Sequence, residues 1–152
     1  MKHRRQFGMF KLTIPGTKYW YLVHVYPDRK AMHAAYRTKG GSLARRRELR
    51  FYARCDTQAC DVRRFNRPCK DHGWFAGEMF FASPYAGAGL VAHEMTHAAV
   101  AHLDCCGVRN FRTAKNDERL AALTGKLVSA FWRKWWKLPL TSRRVRQRRD
   151  DD

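Results

Sequence analysis

Acid is scarce in this chain. Its 152 residues hold 13 Asp and Glu against 31 Lys and Arg, a formal net charge of +18 and a pI near 10.4. A field of that sign does not suit cationic partners; it draws nucleic acid, anionic surfaces or acidic proteins. Long apolar runs are missing too. None reaches the roughly 18 residues that a membrane span requires, so no span is expected. Lys11 interrupts the basic N-terminal stretch before an apolar segment develops, so no secretory signal is expected and a cytoplasmic location is. The cysteines number 5, an odd count, which together with the absent signal argues against a secreted disulfide framework. Internal repeats and a low-complexity core are lacking as well. Hydrophobic residues at 45% and aromatics at 13% exclude a disordered composition and leave one domain with a real core.

The most informative residues are His93-Glu94-Met95-Thr96-His97. Helical positions four apart share a face, so His93 and His97 can present two imidazole nitrogens to one Zn²⁺. Glu94 lies one residue round, within reach of a water beside that metal. This is the His-Glu-x-x-His arrangement, in which the glutamate is general base and not ligand. Gly89 to Leu103 read as one mostly apolar helix, of the kind that is buried. Buried His and Glu need compensation, and a metal supplies it.

Catalytic zinc commonly has three protein ligands and an open position. Glu118 is the best third candidate. It opens a second long helix, with Asn116 or Asp117 as the expected cap. Leu120, Leu123, Leu127 and Phe131 form that helix's apolar stripe. Glu118, Ala122 and Gly125 fall on another face, read as the close contact with the histidine helix.

These residues resemble the zincin metallopeptidases and, within them, the gluzincins, whose third ligand is a glutamate on a downstream helix. The resemblance covers roughly residues 75–131, and the compact size is similar to that of ImmA/IrrE-like peptidases. It implies one catalytic zinc held by His93, His97 and Glu118, with Glu94 as base. It also implies a protein substrate, with the strand before the motif (Gly73 to Ser83) lining the cleft and pairing with extended substrate. Many gluzincins carry an Asp four residues after the ligand glutamate; here that position is Ala122, so Asp117, Asp104 or a backbone carbonyl must support the histidines. His102 lacks the preceding glycine of a metzincin turn and reads as an outward or supporting residue. Tyr85, His72, His102 and Arg109 are candidate oxyanion donors, and Tyr85 is carried forward.

Cys55, Cys60, Cys69 and His72 form a loosely spaced series that could hold a second, structural zinc; a disulfide or free thiols fit the same residues. Cys105 and Cys106 read as packed thiols. Arginines cluster at 45–50, at Arg54, Arg63, Arg64 and Arg67, and in the tail 139–152, which follows Trp132, Trp135 and Trp136. The tail reads as a basic, flexible extension of a domain spanning 1–138. Nucleic acid or an acidic partner is the expected binder of this basic surface.

Along the chain, Phe7–Ile14 and Lys18–Tyr26 read as a hairpin turning at Pro15-Gly16-Thr17. Asp28 caps a short helix over 30–36, and Leu49–Ala53 and Phe75–Ala82 read as strands. The expected fold is α+β: a small, mostly antiparallel sheet packed on the motif helix and a second long helix, with an open cleft. Two other functions use the same residues. One is a basic nucleic-acid-binding protein with structural zinc; the other is a catalytically inactive zincin-like scaffold that acts by binding.

Overall fold

The structure, a computed structural model, describes residues 8–38, 53–57, 68, 73–108 and 110–138. The first hairpin follows from its turn chemistry. Strand β1 (Gly8–Thr13) runs antiparallel to β2 (Trp20–Tyr26). Between them Pro15 and Gly16 take the two central turn positions, Gly16 at φ 77°, and the Thr17 N–H donates to the Ile14 carbonyl at 3.1 Å. Pro then Gly with positive φ is the type II pattern. The Thr17 hydroxyl braces the turn, donating to Ile14 O and accepting from the Tyr19 N–H, both at 3.0 Å.

Helix α1 (Arg29–Thr38) starts where the Asp28 carboxylate accepts the Ala31 N–H at 2.8 Å. Strand β3 is Ala53–Thr57, later in the chain than the expected 49–53; residues 49–52 lie outside the described set. Its sequence, Ala-Arg-Cys-Asp-Thr, has little strand propensity, and pairing with β4 overrides that preference. Strand β4 is Phe75–Ala82, as expected. A short 3₁₀ turn, Ser83–Tyr85, leads into α2 (Ala88–Cys105), and α3 spans Ala114–Trp135.

The sheet order is β1-β2-β4-β3. β1 with β2 and β3 with β4 are antiparallel, whereas β2 and β4 are parallel, so the sheet is mixed with antiparallel pairs in the majority. Burial follows position. Edge strand β1 alternates exposed Met9 and Lys11 with inward Phe10 and Leu12, while β2 and β4 are buried almost throughout. One face carries Leu12, Tyr21, Val23, Met79 and Phe81 against Val91, Met95 and Ala98 of α2 and Leu127, Phe131 and Trp135 of α3. The other face carries Tyr26 and Phe80 against Met32 and Tyr36 of α1. The result is three layers with the sheet in the middle.

The apolar stripe of α3 packs as expected, with Leu127 and Phe131 fully buried. Two expectations about this helix are corrected. Its cap residue is Thr113, whose carbonyl accepts the Asn116 and Asp117 N–H groups; neither Asn116 nor Asp117 is the cap. The Glu118–Ala122–Gly125 face is exposed and is not the contact with α2. Burying Leu127, Phe131 and Trp135 removes far more apolar area than two small residues could, and that decides the rotation of the helix. The 139–152 tail lies outside the described residues.

Candidate active site

Helix α2 builds the site. It packs against β3 and α3, and the Tyr21 hydroxyl on β2 reaches the Ala98 carbonyl at 3.5 Å, one residue past His97. One side of α2 (Val91, Met95, Ala98, Ala99) is core; the other carries His93 and His97, both exposed. This corrects the expectation of a helix buried all round. Glu94 is the buried member of the motif, 5% exposed, and the histidines stand at the surface.

The two imidazoles converge. Their Nε2 atoms are 3.0 Å apart and the rings are perpendicular. Two nitrogens on adjacent corners of a tetrahedral zinc, each about 2.05 Å from it, would be about 3.3 Å apart. The pair therefore fits two corners of such a site. Among the described residues no group of three His, Cys, Asp or Glu is placed to hold a metal ion. Glu118 is exposed in the first turns of α3 and is not gathered with the pair.

Glu94 faces a cleft of about 730 Å³ between α2 and β3, bounded by Cys55 and Thr57 on the strand, His97 and Asp104 on the helix, and Phe111 beyond it. Burial pushes the Glu94 carboxyl above its ordinary range. His93 and His97, a hydrogen bond donated by the Cys55 N–H, and the charge of Arg54 pull the other way without cancelling it. Arg54 itself is held by Asp56 at 2.6 Å and lies over the Tyr36 ring. Burial, with Glu94 and Asp56 adding to it, pushes the Cys55 thiol well up, so it stays protonated.

Strand β4 does not line the cleft as an open edge. It lies between β2 and β3 with both edges paired, because its continuous apolar run belongs in the sheet centre. The strand beside the cleft is β3, whose far edge carries no partner strand among the described residues. Sequence reasoning missed this wall, since Arg54, Cys55 and Asp56 carry no strand signature. The Cys55 N–H that reaches Glu94 is backbone, and no side-chain pattern announces it.

The remaining candidates separate. Tyr85 is 49% exposed in the 3₁₀ turn before α2 and does not line the cleft. His102 points into the core, not outward: it is 1% exposed, 5.7 Å from the Tyr19 ring and 3.7 Å from Cys106 Sγ. Asp104 does line the cleft, and Asp117 is exposed. Arg109, His72, Cys60 and Cys69 lie outside the described residues, so only Cys55 of the cysteine series is placed. Among the described residues no helix is long and apolar enough to cross a membrane. No known protein family, curated protein or solved structure matches the chain.

Proposed function

We propose that this protein is a zinc-dependent metallopeptidase of the zincin type, acting on a protein substrate. The observation that carries the reading is the convergence of His93 and His97 beside a buried Glu94 at the foot of an open cleft. His93 and His97 would hold the zinc through Nε2. Glu118, the third ligand expected from the sequence, stands on α3 with its face turned away from α2, so its part in holding zinc is put to a separate test. When bound, zinc would polarise the scissile carbonyl and acidify the attacking water.

The chain's own residues do the rest. Glu94 accepts the water proton and returns it to the leaving amine. Its raised affinity for a proton suits both halves of that exchange. The Cys55 N–H holds the carboxylate oriented toward the cleft. Among the described residues the outer edge of β3 has no partner strand, and it would offer backbone groups to an extended peptide.

Glu94→Gln should lower peptide cleavage by at least about 10²-fold while zinc content stays unchanged. Full cleavage by that variant would overturn the mechanism. Elemental analysis of Glu118→Ala tests the third ligand separately: zinc content should fall, and undiminished zinc would remove Glu118 while leaving the histidines in place.

A further inference from the structure

A second feature runs along α3 beside its buried stripe. The β1–β2 turn meets this helix along two adjoining cavities of about 380 and 550 Å³, which share Pro15 and Arg133. Among the described residues every charged one lining them is a cation: Lys126, Arg133, Lys134 and Lys137. All four are exposed, and none is ion-paired to an acid among the described residues. The floor between them is made of small residues, Ala122, Gly125 and Ser129; a Cβ built on Gly125 meets nothing within 4 Å. A chain can therefore sink between the cations. Lys126 and Lys134 are eight residues apart, a run of about 12 Å along the helix, and Lys137 follows just past its C-terminus.

At the far end of the same face stands Trp136. It lies seven residues beyond Ser129 and eleven beyond Gly125, offsets that return to within about 20° on a helix. It is 65% exposed and stacks on Trp132, with centroids 5.8 Å apart and planes 25° apart. A row of cations with no acidic partner among the described residues, leading to an open indole face, is the combination that takes a phosphate backbone and stacks a base.

We propose that this groove binds single-stranded nucleic acid. A duplex major groove admits a protruding helix, whereas α3 here is flanked by the turn and offers a recess. A membrane surface requires an apolar face to enter the headgroup layer, and that of α3 is spent in the core. The groove ends toward Asp117 and Glu118, where acid returns. The proposal does not rest on the zinc site.

The test is fluorescence anisotropy of the full chain with a labelled oligo(dT) of about twelve nucleotides, between about 50 and 200 mM salt. Lys126→Glu with Arg133→Glu should weaken binding at least about tenfold and reduce the slope of log K against log salt by about 1.4, two contacts at about 0.7 each. Trp136→Ala should weaken binding about tenfold with the slope unchanged, and Trp136→Phe should restore most of it. Arg29→Glu with Lys30→Glu makes the same change of net charge on α1 and should cost less than about twofold. Equal losses from the two charge-reversed pairs would overturn the proposal in favour of diffuse attraction. Loss of binding to polyglutamate or phosphatidylserine vesicles, with oligo(dT) binding intact, would overturn it in favour of an acidic protein or a membrane. Circular dichroism melts of each variant separate loss of binding from loss of fold.

Discussion

Glu94 is the residue whose placement conflicts most with its charge. In the metal-free protein the folded state keeps its proton to higher pH than the unfolded chain does. Folding therefore loses stability as pH rises from the ordinary carboxylate value through the raised one. Glu94→Gln keeps the shape and an oxygen for the Cys55 N–H but carries no charge. Metal-free Glu94→Gln should melt several degrees above the parent protein at neutral pH, and level with it below about pH 4. Equal melting at neutral pH would show that the carboxylate is not desolvated. At this scale the sequence was legible where chemistry follows from spacing alone: His93 and His97 meet because four residues make about one helical turn. It was not legible where rotation of the helix decides. Spacing gave Glu118 a face shared with Ala122 and Gly125, but the heavier side chains of Leu127, Phe131 and Trp135 turned that face outward.

Strand β3 is the element on which the cleft depends, and Gly77 is what lets it come close. Gly77 on β4 pairs with Thr57 at φ 145°, and a Cβ there would overlap the Asp56 carbonyl oxygen. Gly77→Ala should cost about 2–3 kcal/mol, measured by urea denaturation, and should lower cleavage further by displacing the Cys55 N–H from Glu94. Normal stability with normal cleavage would show that β3 does not depend on this approach. The other strands and helices were readable because each carries a local signal. Examples are Pro-Gly at a turn, Asp28 before α1, and the unbroken apolar run of β4. Strand β3 carries none; its conformation is imposed by a neighbour that is distant in sequence.

The whole molecule combines an excess of cations with a pair of histidines at its surface. Zinc that binds only the folded form must stabilise it, by about 2.7 kcal/mol at a free concentration a hundredfold above the dissociation constant. Thermal melting with added zinc should rise for the parent protein and stay fixed for His93→Ala with His97→Ala. A rise that survives in the double variant, with one zinc per chain still bound, would place a metal on the cysteine series instead. The three-layer arrangement has a further consequence, one of timing. The β1–β2 hairpin and the histidine turn of α2 are made from neighbours in sequence and can form within microseconds. The parallel pairing of Tyr21 with Gly77 and Tyr26 with Ala82 joins segments separated by α1 and β3, and closing so long an interval is slow. The helical turn that presents the two imidazoles is thus local, whereas the sheet beneath it waits on a distant pairing. On the proposed reading, recovery of cleavage during refolding should follow closure of the sheet and not formation of the helix.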